Sequence, residues 1–417
     1  MLFDRDSARK SGAAYPWILV GFLWLTYLLN YVDRQAIFSI FPILRKQLHF
    51  SETQLGLTGS TFVWTYSLCM PLTGCLADLI RRERLVIGSL ILWSLATLGT
   101  GLSSSVDSLL GWRVIMGIVE ALYIPAALGL IAVWHSERSR STALAIHGTA
   151  QFAGIVAGAW FGGWAAETIG WRQGFWALSA AGMIYAAVLA SVFRRPTAQM
   201  TRKRPAPAAP LAIFRSPCYV ILLFAFFVFC AMLWIFYGWL PAFVFQKFHT
   251  SLAASGFTAT VYLQAGSVAG VLTWGPVADL IAGKIHSGRF YIGALGLLIC
   301  APFAYWTVSL NSLQGLKLAA VAFGFFAGAM AANAFAAAYD VVSERNYGFA
   351  TGTLNMSGGL GGGAAMLLVG WSHGPSSIPH IMGENAIASM AAAIALIAVV
   401  ALRFKRDRSD ALEGAEG

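Results

Sequence analysis

The sequence predicts an all-α membrane protein with twelve transmembrane helices in two six-helix bundles, and three observations lead to this fold class. Of the 417 residues, 58% are hydrophobic and only 11% are charged, whereas soluble domains carry about 25% charged residues. Apolar runs of about 20 residues recur along the whole chain between short polar or Gly/Pro-containing breaks, as in stacked transmembrane helices. A basic, proline-rich stretch divides these runs six and six.

Each apolar run is taken as one membrane crossing. The predicted helices span residues 16–41, 54–77, 85–104, 108–133, 142–165, 174–193, 218–245, 253–278, 290–309, 315–339, 348–371 and 384–404. We therefore predict an N-terminal bundle in residues 1–193 and a cytoplasmic basic, proline-rich linker in 194–216. The C-terminal bundle and a short cytoplasmic tail take up residues 217–417.

The two halves share a heptapeptide. It reads GCLADLI at Gly74–Ile80 and GPVADLI at Gly275–Ile281. Both copies fall at the predicted cytoplasmic ends of corresponding helices, the second and the eighth. A parallel duplication of a six-helix unit is the simplest explanation.

The distribution of basic residues predicts the orientation in the membrane. The net charge is +10, and most of the 28 Lys and Arg residues fall in the termini and loops of one side if the N-terminus is cytoplasmic. The positive-inside rule therefore predicts a multi-pass protein with both termini in the cytoplasm. The short chain and the lack of glycosylated outer loops favour the inner (plasma) membrane. The basic charge is accounted for by this topology, so no nucleic-acid partner is expected.

The sequence shows no pattern typical of an enzyme or of a metal site. The five cysteines lie in or beside apolar runs without a CxxC or Cys/His spacing, so we interpret them as packing residues and expect no metal site. No nucleophile/base pair stands out, which argues against an enzyme. We expect no cofactor other than protons as the coupling ion.

Four ionisable residues lie deep inside predicted helices, and these are the main functional signal. Asp33 and Arg34 are in the first helix, and Arg113 and Glu120 are in the fourth. A charge at bilayer depth costs about 2.5 kcal/mol or more, so intramembrane charges usually serve function. Arg113, Gly117 and Glu120 follow i, i+4, i+7 spacing, which places them on one helix face with Gly117 leaving space between the charges.

The helix directions allow all four groups to meet in one cavity. Two Arg/carboxylate pairs would relieve most of the cost of burial, whereas an unpaired member would shift its pKa instead. A carboxylate that is ionised against an arginine in one state and protonated in another can couple proton binding to anion binding. The alternative is a static salt-bridge cluster that only holds the helices together.

A loop motif gives the first family resemblance. The stretch "GCLADLIRRER" resembles the loop signature of the major facilitator superfamily, Gly-x-x-x-Asp followed by basic residues, although the usual glycine after the aspartate is missing. Asp78 beside Arg81 and Arg82 could form charge pairs across the seam between bundles, which would break on inward opening. Asp279 repeats the position in the second half. The alternative is a solvated loop that only sets topology.

Several further stretches resemble one branch of that superfamily, the anion:cation symporters. They are "NYVDR", "RVIMGIVEALYIPAA", "SERSRSTALAIHGTAQFAG", "GWRQGFW" and "YGWLPAF". This resemblance covers nearly the whole chain and implies a major facilitator fold. It also implies that Asp33 and Glu120 handle protons, that Arg34 binds the substrate carboxylate and that Arg113 partners the acids.

Polar and aromatic residues also match substrate positions of this family, and ordinary interhelical hydrogen bonding is the alternative for each. They are Tyr31, Tyr66, Gln151 and Asn355. In the seventh helix we assign Tyr237 to the cavity and Trp239 to the membrane edge. His147, one turn before Gln151, could tune the site or simply pack.

The resemblance implies a proton-coupled symporter, expected to be a monomer in the lipid bilayer, that imports a small organic anion such as a sugar acid by alternating access. The nearest rival is a Spinster-like carrier of lysolipids or other amphiphiles, which shares the "NYxDR" frame and the Arg/Glu pair. A non-transporting membrane receptor is a further rival, but such a protein usually carries a soluble output domain or a long tail.

Overall fold

A computed structural model describes residues 15–193 and 210–416; within these ranges the side chains of residues 71, 74–75, 77–79, 137–138, 141, 210 and 413–416 lie outside the description. In the N-terminal half the helices are α1 (Tyr15–Ser39), α2 (Phe41–Leu48), α3 (Glu52–Leu79), α4 (Arg82–Leu102), α5 (Val106–Glu120), α6 (Tyr123–Trp134), α7 (Glu137–Thr168) and α8 (Trp171–Val192). In the C-terminal half they are α9 (Pro217–Phe248), α10 (Leu252–Ala282), α11 (Gly288–Ser309), α12 (Leu313–Tyr339), α13 (Tyr347–Trp371) and α14 (Ile378–Glu416). Most of the predicted linker, residues 194–209, lies outside the described residues.

The helices reproduce the twelve predicted crossings, with α1 and α2 forming the first and α5 and α6 the fourth. Ten helical segments of the described chain are long and apolar enough to cross a membrane. The other two crossings, α3 and α13, are 28 and 25 residues long and contain several Gly, Ser and Thr residues, which lower their hydropathy. The all-α membrane fold class is confirmed.

Two of the predicted continuous helices are broken, and proline lies just after each break. The first stops at Ser39 and restarts at Phe41, where Pro42 occupies the first turn of α2, a position that needs no N–H donor. The fourth stops directly after Glu120 and restarts at Tyr123. Pro125 cannot donate to the carbonyl four residues earlier, so the helical ladder fails there. Glu120 is therefore the last residue of a helix rather than a mid-helix residue.

Serine side chains start several helices by accepting a hydrogen bond from a first-turn amide. Ser51 and Gln54 form a complete capping box at α3, with N–O distances of 3.2 and 2.9 Å. Four other helices begin in the same way, at Ser105, Ser216, Ser251 and Ser312. Each such cap is worth about 1 kcal/mol, because it satisfies an amide that has no partner within the helix.

The last helix extends beyond its predicted end at residue 404 into the charged tail. Asp407 is buried, and its carboxylate accepts hydrogen bonds from Ser216 Oγ at 2.6 Å and from the Cys218 amide at 2.9 Å. Both donors belong to the start of α9. The tail thus caps the first helix of its own bundle.

The two bundles meet along α3 against α13 and α7 against α10. Gly56 allows the close approach of the first pair, since an added Cβ would lie 2.7 Å from the Met366 carbonyl oxygen. At the second pair the Glu167 carboxylate accepts hydrogen bonds from the amides of Leu252 and Ala253, at 2.5 and 3.2 Å. It therefore caps the start of α10 from the opposite bundle.

Hydrogen bonds between the bundles are concentrated toward one end. Among the described residues they join Gln35 to Tyr237, Ser60 to Gly363, Trp64 to Leu360, and Glu167 to the start of α10. All of these lie in the half of the molecule that is predicted to face outward. The described contacts therefore close the bundles at the predicted outer side.

Candidate functional site

A buried ion pair between α1 and α5 forms the centre of the candidate site. Arg34 donates from Nη2 and Nε to Glu120 Oε2 at 2.8 and 3.2 Å, and from Nη2 to Asn30 Oδ1 at 3.2 Å. Arg34 is 5% exposed and Glu120 1% exposed. The second carboxylate oxygen, Glu120 Oε1, has no hydrogen-bond partner among the described atoms, and neither does Asn30 Nδ2. A proton could therefore add to Oε1 without displacing the arginine.

Aromatic rings surround the Arg34 guanidinium. Its central carbon lies 4.5 Å from the Tyr31 ring centroid, 4.6 Å from Tyr66 and 4.9 Å from Phe62. At these distances the ring faces attract the cation and exclude water from it. The structure thus brings Tyr31 and Tyr66 to Arg34. Phe62 was not among the predicted site residues, although its position one turn before Tyr66 puts both rings on one face of α3.

Arg113 does not form the second predicted Arg/carboxylate pair. It donates from Nε to the Thr58 carbonyl at 3.0 Å and from Nη1 to Met116 Sδ at 3.3 Å, and Nη2 has no partner among the described atoms. Arg113 precedes Glu120 by seven residues, a rise of about 10 Å along the helix. A backbone carbonyl of α3 is therefore the nearer acceptor.

Gly117 was predicted to leave space between Arg113 and Glu120, but in the structure it lies against the backbone of α3. An added Cβ would lie 2.7 Å from the Phe62 carbonyl oxygen and 3.0 Å from the Tyr66 amide nitrogen. The glycine therefore allows α5 to pack closely on α3, and it leaves no open space between Arg113 and Glu120. This close packing positions Glu120 beside the aromatic rings of α3.

Asp33 does not form an ion pair with Arg34, although its carboxyl group lies close enough to Glu120 for the two to interact electrostatically. Its carboxylate is buried next to Trp93 and Thr97 of α4, and no ion pair is described for it. Adjacent helix residues point about 100° apart, so Asp33 and Arg34 cannot both face α5. A second ion pair is not formed: of these four residues only Arg34 and Glu120 pair, while Asp33 and Arg113 lie close enough to Glu120 to interact with it electrostatically. The proton roles of Asp33 and Glu120 stay predictions.

Gln151 lies within a network of aromatic side chains from α1, α6 and α7. Tyr27 Oη donates to Gln151 Oε1 at 3.4 Å, and the Tyr27 ring stacks on His147 at 4.7 Å. His147 Nε2 lies 3.0 Å from Tyr123 Oη, which donates to the Leu23 carbonyl at 2.6 Å. Because Tyr123 uses its proton on Leu23, His147 Nε2 must be the donor to Tyr123. Since Tyr27 occupies the Gln151 oxygen, the Gln151 amide group presents N–H donors.

The second bundle reaches the site through α9. Gln35, the neighbour of Arg34, donates from Nε2 to the Tyr237 carbonyl at 2.6 Å, and the Tyr237 side chain lies near those of Tyr31 and Gln264. Tyr237 thus lies beside Tyr31 of the Arg34 cluster, and its substrate role stays a prediction. Trp239 is not at the membrane edge: it is fully buried and donates to the Met366 carbonyl at 3.0 Å.

Asn355 is not brought to the Arg34 cluster by any described contact. Its Nδ2 donates to the Thr351 carbonyl of the same helix at 3.1 Å. The described hydrogen bond is the ordinary intrahelical kind that the sequence analysis left open as the alternative. A substrate role for Asn355 stays a prediction.

The predicted gating residues make contacts within their own bundles. Arg289 bridges Asp279 at 2.9 Å and Asp340 at 3.0 Å, all three in the C-terminal half. Burial raises the pKa of the Asp340 carboxyl, and the positive charge of Arg289 opposes that rise. Arg82 donates to the Gly129 carbonyl at 3.2 Å, and Arg81 lies 3.9 Å from Glu83. The Asp78 side chain lies outside the described residues, so its predicted pairing is not tested.

Comparison with known proteins identifies the family. The model of the Major Facilitator Superfamily matches residues 23–365, and again 246–416. The chain is 25% identical to the D-galactonate transporter of Escherichia coli O6:H1, covering 93% of this chain and 96% of that protein. It is 22% identical to the probable galactarate/D-glucarate transporter GarP of Escherichia coli K12, covering 97% of each.

Among solved structures, the fold is similar to that of a bacterial homologue of the human lysosomal transporter Spinster in an inward-facing, unoccupied conformation. The TM-score is 0.75 at 20% sequence identity, covering 97% of this chain and 99% of that one. At this identity the likeness concerns the fold. Together with the match of the family model, it leads to one conclusion: the chain belongs to the major facilitator superfamily, whose members are membrane transporters and not enzymes.

Proposed function

We propose that this protein is a proton-coupled symporter that imports a small organic anion of the sugar-acid class by alternating access. It would act as a monomer in the inner membrane, with both termini in the cytoplasm. The observation that carries the proposal is the buried Arg34–Glu120 pair between α1 and α5. The names of the similar proteins, which transport galactonate, galactarate and glucarate, support the substrate class.

Arg34 is the proposed site for the substrate carboxylate. A guanidinium binds a carboxylate through two parallel N–H···O bonds, and this bidentate geometry is specific to arginine. In the structure one carboxylate oxygen of Glu120 takes both an Nη2 and an Nε donor. An incoming substrate carboxylate would compete for the same donors. The surrounding rings of Tyr31, Tyr66 and Phe62 would keep water away from this exchange.

Proton coupling follows from that competition. When the substrate takes Arg34, Glu120 is left as a buried carboxylate without its cation, a state that is strongly unfavourable. Binding a proton removes the charge, and the unpartnered Oε1 is available to accept it. The substrate and the proton would therefore bind together and cross together. Asp33, buried separately against α4, is proposed as a second proton site.

The remaining predicted residues would orient the organic part of the substrate. Gln151 offers N–H donors, and the hydroxyls of Tyr31, Tyr66 and Tyr237 can donate or accept. Asn355 would join them only after a movement of α13, since its described hydrogen bond is intrahelical. Polar groups of this kind match a hydroxylated acid better than a lipid tail, which would require an apolar surface.

The test is uptake into proteoliposomes under an imposed pH gradient, using labelled sugar acids, aromatic acids and lysolipids. We expect the wild type to concentrate at least one sugar acid. Glu120→Gln should bring the internal-to-external ratio down to about one while exchange of substrate persists, because the amide cannot carry a proton. Glu384→Gln is the matched control, since that carboxylate is exposed and, among the described residues, pairs with His380 alone.

Concentrative uptake by Glu120→Gln would contradict the coupling role. Transport of a lysolipid with no acid uptake would replace the proposal by the Spinster-like rival. Binding of an acid without any flux would favour a receptor.

A further inference from the structure

Gln264 of α10 is a buried amide whose described polar neighbour is the Tyr237 hydroxyl, yet neither of its polar atoms makes a hydrogen bond of ordinary length. The side chain belongs to a residue only 3% exposed, and both Oε1 and Nε2 lack a partner among the described atoms. Buried polar groups are almost always paired, because leaving a donor or an acceptor unsatisfied costs its full desolvation free energy. Here two such atoms in one side chain are unsatisfied. The sequence analysis did not single out this residue.

The position of Gln264 connects it to the candidate site. Its side chain lies beside that of Tyr237, which in turn lies near Tyr31. Tyr31 stacks on the Arg34 guanidinium at 4.5 Å. A contiguous row of side chains therefore runs from the cation in the first bundle to the unpaired amide in the second.

The chemistry of an amide selects its ligand. Its oxygen accepts and its nitrogen donates, so it is complementary to a group that does both, such as a hydroxyl. A carboxylate can only accept and an alkyl chain can do neither. A ligand hydroxyl near Tyr237 would satisfy both atoms of Gln264 at once.

We propose that Gln264 is a specificity residue that binds a hydroxyl group of the substrate remote from the carboxylate held by Arg34. This inference rests on the function proposed above and adds the feature that separates polyhydroxy acids from plain carboxylic acids. A substrate held in this way touches both bundles. Its hydroxyl chain then becomes part of the contact that brings α1 and α10 together.

The experiment compares two ligands of equal chain length on the purified full-length protein. The first is the sugar acid that the wild type binds best among D-galactonate, D-glucarate and D-galactarate. The second is the corresponding acid without hydroxyls, hexanoate or adipate. Competition with a labelled sugar acid gives the two dissociation constants for each variant.

Gln264→Met and Gln264→Leu replace the amide by apolar side chains of similar size. Such a replacement in a buried position does not leave an unpaired group behind, so the fold is expected to survive. Thr260→Val is the matched control: Thr260 is equally buried on the same helix, but its hydroxyl is already bonded to the Gly256 carbonyl at 2.9 Å. Melting temperatures of all three variants check their folding.

We expect both Gln264 variants to bind the sugar acid about tenfold more weakly, as expected for one lost hydrogen bond. Their affinity for the acid without hydroxyls should stay unchanged, and Thr260→Val should leave both affinities unchanged. Equal weakening for the two ligands, or no change for either, would overturn the role of Gln264 while leaving the proposed function intact. A wild type that binds no sugar acid would overturn both proposals.

Discussion

The Glu167 carboxylate at the predicted outer end provides a sharp test of how the two bundles are held together. It accepts hydrogen bonds from the Leu252 and Ala253 amides at the start of α10. The bond crosses the seam between bundles, so it exists only while the outer side is closed. Removing it by Glu167→Ala should therefore favour the outward-open state relative to the closed one.

The size of the shift follows from the contacts. A side chain that caps a helix start contributes about 1 kcal/mol, and a negative charge at that end adds about 0.3–1 kcal/mol. Because Ser251 also caps α10 through the Ala254 amide, we use the lower end of the combined value, about 1 kcal/mol. This corresponds to an approximately fivefold change in the ratio of the two states. Glu167→Gln keeps an acceptor without the charge and should shift the ratio less.

The populations of the outward-open and closed states can be measured from the distribution of distances between two spin labels at the outer side. Gln173 at the start of α8 and Asn311 before α12 are exposed positions in opposite bundles, suitable for labelling after replacement of the native cysteines. Thr168→Ala is the matched control, since the Thr168 hydroxyl bonds only to the Trp164 carbonyl of its own helix. An unchanged distribution in Glu167→Ala would refute the view that this carboxylate holds the seam.

Two further predictions concern the ion pair and the C-terminal helix. Arg34→Lys keeps the positive charge but loses the two-donor geometry and the stacking on Tyr31. Uptake of the sugar acid into proteoliposomes should therefore fall by about 10- to 100-fold. Uptake at the wild-type rate would show that a simple positive charge suffices. Asp407→Ala leaves two donors at the start of α9 without their acceptor. It should lower the free energy of unfolding by about 1–2 kcal/mol, which is measured as a lower melting temperature. Asp410 is exposed on the same helix, so Asp410→Ala should melt at the wild-type temperature.

Composition and spacing were sufficient to predict the fold class and to find the buried charges. A charge in an apolar run is visible in the sequence because it is costly there, and this signal identified Asp33, Arg34, Arg113 and Glu120. The i, i+3 relation of Tyr31 to Arg34 correctly placed that ring at the guanidinium. These inferences depend on one helix at a time.

What could not be predicted depends on how helices are set against one another. Periodicity put Arg113 and Glu120 on one face of α5, but the register of α5 against α3 decided that Arg113 bonds to the Thr58 carbonyl. The rotation of α1 decided that Asp33 faces α4. Gln264 is an uncharged side chain in an apolar run and gives no signal until its burial beside Tyr237 is known. The break after Glu120, in contrast, had a readable cause in Pro125.

The bond between Asp407 and the start of α9 has a consequence for the order in which the protein can be made. The Asp407 acceptor is synthesised 189 residues after the Cys218 amide that it binds. Through most of the synthesis of the C-terminal bundle, the Cys218 amide and the Ser216 hydroxyl therefore lack this acceptor. A stop codon or a fusion joint placed just after the last crossing would remove the acceptor permanently, so a reporter or purification tag belongs beyond the end of α14 at Glu416.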